Sequence, residues 1–145
     1  MTSFLKANSL KPFLQVILIV TLFLSVANAS DFREIIKISL KKDEQKKFLV
    51  KYNASERLFK FRWTLYKNNG LVVFRSYDKH VAQNILYLNH KNQSFRVELK
   101  SRGADFYNVP YVLVKFKEFD YEKREAKFDL LLSDDKMQII LEELK

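Results

Sequence analysis

The chain has no cysteine and only two glycines, two prolines and two histidines in 145 residues. Without cysteine it can form no disulfide staple, no thiolate metal site and no lipid-modified N-terminal cysteine. Two histidines alone cannot complete a zinc site, and no set of carboxylates has ligand spacing around them. No G-x-S-x-G elbow is present to expose a nucleophilic serine. From residue 32 onward no apolar i, i+3, i+4 pattern outcompetes a period of two, which argues against helices there. The nearest exceptions are a turn around Val81-Ala82 and a helical alternative for Lys136–Lys145. Internal repeats, linkers and low-complexity tracts are absent.

Long apolar runs are equally scarce. There is one, Phe13 to Val26, preceded by Lys6 and Lys11 and followed by Ala27-Asn28-Ala29. A basic start, a short apolar core and an Ala-x-Ala ending describe a cleavable secretory signal peptide. The core is short against the roughly twenty residues of a membrane span. Residues 1–29 are therefore expected to be a leader and 30–145 the folded domain. A periplasmic location follows, with an uncleaved inner-membrane anchor as the alternative; contact with membrane would then come through the leader alone. The leader holds two of the 26 basic residues and none of the 17 acidic ones, so the domain has 24 against 17, a formal +7.

Small exported domains usually reinforce a thin core with disulfides. A cysteine-free one must rely on packing, and it fits a bacterial periplasm better than an animal extracellular space. The material for packing is present: thirteen Phe, seven Tyr and one Trp. Phe59, Phe61, Trp63 and Leu65 alternate with Lys60, Arg62, Thr64 and Tyr66, the pattern of a half-buried strand. Phe95, Val97 and Leu99, then Val112, Val114 and Phe116, then Phe128, Leu130 and Leu132 alternate in the same way. Weaker strands are read at Phe32–Leu40, Lys47–Tyr52, Leu71–Tyr77, Asn84–Asn89 and Met137–Leu144. Lys67-Asn68-Asn69-Gly70 carries an Asn-Gly pair, a strong hairpin signal. Eight or nine strands, each apolar on one face, require a partner sheet. The expected fold is all-β, a single antiparallel β-sandwich of immunoglobulin-like type, with Tyr107 or Tyr111 as a candidate corner tyrosine.

Three constellations have the residue types of chemistry without its arrangement. Ser76, Asp78 and His80 would share one face of a continuous strand, but a triad needs its base between nucleophile and orienter. His80 and His90 could meet only if the chain folds back between them. Glu118, Asp120, Glu122 and Glu125 lack the Gly and Asn/Asp density of a calcium loop, and Lys123 and Arg124 neutralise them. The chain therefore reads as a non-enzyme with no cofactor.

Binding is the remaining class. Lys60 and Arg62, Arg96 and Lys100, and Lys115 and Lys117 lie on the polar faces of three strong strands. Tyr66, Tyr111 and Phe119 fall on the same parity as those basic residues. If two of these strands are neighbours, their outer faces form a basic, partly aromatic sheet surface that attracts anions. The bias toward Lys, Asn, Phe, Ile and Tyr, whose codons are rich in A and T, supplies a competing cause for the lysines. The nonperiodic stretch Gly103–Tyr111, with Phe106, Tyr107 and Tyr111, is a candidate contact loop. Two functions follow from this. One is an envelope assembly module acting by protein–protein contacts through a sheet face or an edge strand, Phe32–Leu40 or Met137–Leu144. The other is a binder or carrier of anionic envelope lipid or glycan. Export argues against nucleic acid as the ligand.

Overall fold

The computed structural model of the chain describes residues 32–100, 109–134 and 137–145, within a compact unit spanning Phe32–Lys145. The leader, Phe106 and Tyr107 lie outside the described residues. Nine strands form among the described residues: β1 Glu34–Lys41, β2 Lys46–Tyr52, β3 Ser55–Lys67, β4 Gly70–Tyr77, β5 His80–Tyr87, β6 Ser94–Glu98, β7 Tyr111–Asp120, β8 Glu125–Ser133 and β9 Ile140–Leu144. They make two antiparallel sheets, a four-stranded one in the order β1-β8-β7-β6 and a five-stranded one in the order β5-β4-β3-β2-β9. The antiparallel sandwich expected from the alternation is what forms. Its strands run as two meanders, β2 to β5 and β6 to β8, with β1 docked on β8 and β9 on β2. Both terminal strands are edges.

The inward residues of each strand are the large apolar ones. Phe48, Phe59, Phe61, Phe116 and Phe128 are fully buried. The Phe61 ring meets Phe128 of the other sheet edge-on, with centroids 5.4 Å apart, and stacks on Phe59 at 5.6 Å. Buried rings of this size each contribute about 1.5–3 kcal/mol by leaving water. Two polar tips ride into this core and are satisfied there. The Trp63 indole N–H donates to the Leu40 carbonyl at 2.8 Å, and the Tyr77 hydroxyl to the Leu99 carbonyl at 2.7 Å. Each bond ties one sheet to a segment continuous with the other. Among the described residues the tyrosine that bonds back to the main chain is Tyr77; Tyr111 instead packs edge-on against Phe32 and beneath Arg96.

With so few glycines, the hairpins need another source of left-handed backbone. Asp43, Asn53, Asn68, Asn69, Asp78 and Asn89 supply it, with φ between 50° and 63°. Asn and Asp tolerate that region because their short side chains hydrogen-bond locally. The β3–β4 turn centres on Asn68-Asn69, and Gly70 does not take a positive φ. Gly70 is needed for room: a Cβ there would stand 3.0 Å from the Tyr87 ring. The chain around Val81-Ala82 is strand, because the two-residue turn Asp78-Lys79 sends it straight back along β4. The terminal segment is also strand.

Two irregularities decide what the sandwich presents at one end. In β3 the pairing with β4 slips between Trp63 and Leu65, and in β7 the pairing with β8 slips between Phe116 and Glu118. Each is a bulge of one extra residue, Thr64 and Lys117. An extra residue inverts the facing of everything after it. Leu65, expected inward, is 48 % exposed. Tyr66 and Phe119, expected outward beside the basic residues, turn toward the core instead.

An aromatic cleft between two bulges

The two bulges lie on strands of opposite sheets, so the inverted rings meet across the sandwich. Tyr66 and Phe119 stack with centroids 4.0 Å apart and planes 15° from parallel. Trp63 stands edge-on to Phe119 at 5.6 Å, and Tyr121 edge-on to Phe119 at 5.1 Å. The Tyr66 and Tyr121 hydroxyls share a hydrogen bond at 3.2 Å. Desolvation, then that bond to Tyr121, pushes the Tyr66 phenol up to about 12, so it stays a neutral donor and acceptor. Tyr121 remains 68 % exposed at the tip of the β7–β8 hairpin.

These rings floor a cleft of about 510 Å³, edged by Lys41, Lys42, Lys123 and Arg124. Three of the nearby carboxylates make hydrogen bonds of their own. Glu44 accepts the Lys41 backbone N–H at 2.9 Å, and Glu125 accepts the Ser39 hydroxyl at 2.9 Å. Asp120 accepts the Lys123 backbone N–H at 2.9 Å, which holds its carboxyl below the usual range. The loop carrying Lys41 and Lys42 is pinned to β3 by the Asp43 N–H on the Trp63 carbonyl at 2.9 Å. None of the four rim cations forms an ion pair with a described carboxylate, and Asp120 lies near enough to Lys123 for the two charges to interact. Arg124 also has φ 55°, the one left-handed non-glycine residue described that is neither Asn nor Asp. Strain of that kind clusters at working sites.

The basic residues singled out by alternation are divided between the sheets. Lys60 and Arg62 lie on the outer face of the five-stranded sheet. Arg96, Lys115 and Lys117 lie on that of the four-stranded sheet, and Lys100 follows β6. On the four-stranded sheet Lys117 pairs with Asp129 at 3.7 Å and Arg96 with Glu98 at 3.9 Å. Arg96 also covers the Tyr111 ring, 3.8 Å from its centroid. Two of the three strands, β6 and β7, are neighbours, so Arg96 and Lys115 share one outer face, while Lys60 and Arg62 lie on the other sheet. Val109 and Pro110, at the end of the expected contact loop, are buried.

Ser76, Asp78 and His80 fall on a hairpin, with Asp78 in the turn and ion-paired to Arg57 at 3.4 Å. His80 opens β5 and His90 follows its far end, so an extended strand of about 3.3 Å per residue holds them apart. No protein-family model, curated protein or solved structure matches the chain. The fold class is an all-β antiparallel sandwich with an aromatic cleft at one end.

Sequence reasoning missed Trp63, Tyr121, Lys41, Lys42, Lys123 and Arg124 as parts of one site. A signal existed for half of it. Phe116 and Phe119 are three apart with Lys117-Glu118 between them, a phase break that a regular strand cannot keep.

Proposed function

We propose that the chain is an exported, non-enzymatic binding module that holds an anionic, sugar-bearing envelope ligand at the aromatic cleft. The observation that carries this reading is the Tyr66–Phe119 stack with Lys41, Lys42, Lys123 and Arg124 around it, none of them in an ion pair with a described carboxylate. Exposed ring faces take the apolar C–H faces of sugars, while lysine and arginine take phosphate or carboxylate groups. The cleft volume suits a ligand of a few rings. Glycan and glycolipid headgroup share this chemistry. The cations lie near water, so their contribution falls with salt on a screening length of about 10 Å at 0.1 M.

Trp63 is the one tryptophan, and its ring touches Phe119, so its emission reports on the cleft. Titration with uronic-acid and sugar-phosphate oligosaccharides should shift that emission, and the neutral parent sugars should not. Vesicles carrying lipopolysaccharide separate a glycolipid source from a free glycan, with phosphatidylglycerol vesicles as the sugar-free control. Tyr121→Ala and the pair Lys123→Glu, Arg124→Glu should each weaken binding at least tenfold. Binding unchanged by those variants, or no shift with any anionic probe, would sink the reading.

A further inference from the structure

Sheet edges are aggregation hazards, and folded proteins normally protect them with charge, proline, bulges or brevity. The described strands leave four edges, and three are protected. β1 carries Glu34, Lys37 and Lys41; β9 carries Glu142 and Glu143 in five residues; β6 carries Arg96 and Glu98 in five. β5 is different. Its eight residues, His80-Val81-Ala82-Gln83-Asn84-Ile85-Leu86-Tyr87, include no Asp, Glu, Lys, Arg or Pro. Its register with β4 runs without a bulge from end to end. Its solvent-facing side chains are apolar or neutral, with Val81 75 % and Ile85 46 % exposed.

The hydrogen-bonding groups can be assigned. In an antiparallel pair alternate residues bond to the neighbour, and a two-residue turn closes on such a pair, here Tyr77 with His80. The even-numbered residues of β5 therefore bond to β4, and the odd-numbered ones direct N–H and C=O to the open edge. The Tyr87 N–H confirms the phase, because it turns away from β4 to the Asn92 carbonyl at 3.2 Å. Val81, Gln83 and Ile85 are left with edge-directed backbone groups and no strand partner among the described residues.

We infer that β5 pairs with β5 of a second copy of this chain, antiparallel about a twofold axis at Gln83, joining two five-stranded sheets into one of ten strands. Charge selects this occupant. Twofold pairing keeps residues of equal parity opposite each other, so Val81 faces Ile85 of the other copy and no like charges meet. The same operation on β6 or β9 sets Arg96 against Arg96 or Glu142 against Glu142, and on β1 it puts Lys37 opposite or diagonal to its own image. Such contacts are unfavourable. The joined edges also run the apolar outer strip of Val81, Ile85 and the adjacent Phe74 across the junction.

This interface does not rest on the cleft, and salt separates the two. The chain has a formal net charge of +9, so screening relieves repulsion between copies and should strengthen dimerisation, while it weakens an anionic ligand. Sedimentation velocity over rising protein concentration should show a monomer–dimer equilibrium that shifts to dimer with salt. Gln83→Lys should raise the dissociation constant at least tenfold, and the control Ile140→Lys on the β9 edge should not. Because the chain has no cysteine, Gln83→Cys adds a single thiol placed within disulfide reach of its twofold mate. Mild oxidation should cross-link Gln83→Cys and leave Ile140→Cys monomeric. A chain that stays monomeric, or a dimer that ignores Gln83→Lys and cross-links both thiols alike, would overturn the inference.

Discussion

At its centre the sandwich buries Phe59, Phe61, Phe116 and Phe128 completely. A few residues farther along β3 and β7, Tyr66, Phe119 and Tyr121 gather at an open end. Both groups are aromatic, and both bridge the two sheets. What separates them is one extra residue per strand. In the centre the alternation is regular, the rings interlock and water is excluded. Beyond the bulges the inward parity falls on an amphipathic ring, Tyr66, and the hairpin beyond β7 brings a second, Tyr121, with cations around both. Regular pairing builds stability there, and the interruption of pairing builds a surface.

Variants should separate the two regions, beginning with the centre. Phe61→Ala removes a ring enclosed on all sides and should cost about 3–5 kcal/mol in chemical denaturation. The equivalent loss at the cleft, Tyr121→Ala, should stay within roughly 0.5 kcal/mol. Equal losses would mean that the end is core as well.

Between these lie the two buried polar tips. Trp63→Phe and Tyr77→Phe each strand a buried carbonyl, Leu40 or Leu99, and should cost about 1–3 kcal/mol. Tyr77 adds a pH signature, because burial pushes its phenol up to about 12 from the ordinary 10.0. The unfolded chain ionises first, so this contribution is intact below pH 10 and is lost as pH rises through 12. The loss is on the order of 3 kcal/mol, two units at about 1.4 kcal/mol each. Alkaline melts should show it in the native chain, on top of a smaller trend from Tyr66, and Tyr77→Phe should reduce it. A Tyr77→Phe melt as steep as the native one would mean that the hydroxyl is not desolvated.

The smallest effect has the opposite sign. Arg124→Gly relieves a left-handed arginine and should raise stability by up to about 1 kcal/mol, while it weakens ligand binding. A gain in stability together with a loss of binding would mark Arg124 as a residue held in strain for its charge. A loss of both would show that the turn needs the side chain.

The regular part of this molecule was legible in the alternation. Phe59-Phe61-Trp63, Val112-Val114-Phe116 and Phe128-Leu130-Leu132 all point inward as read, because a buried face tolerates no slip. The cleft was not legible, because a bulge changes parity without changing composition. In β3 the run Trp63-Thr64-Leu65-Tyr66 offers two apolar candidates in succession, and alternation chose Leu65. Only the slip against β4 shows that Tyr66 turns in. The rim was hidden for another reason: Lys41 and Lys42 are about eighty residues from Lys123 and Arg124, and only the closed sandwich makes them neighbours.

The placement of β1 and β9 sets the order in which the chain can be completed. The two meanders consist of hairpins, whose partners leave synthesis almost together. β1 must wait for β8, with Leu40 opposite Ala126, and β2 gains its outer neighbour only when β9 appears, with Val50 opposite Leu141. Closing such distant pairs is the slow part of folding. Until the last five-residue strand arrives, β2 is an open edge with Phe48 and Val50 beside it. A ribosome releasing this chain N-terminus first therefore holds the domain unfinished until β9 has emerged.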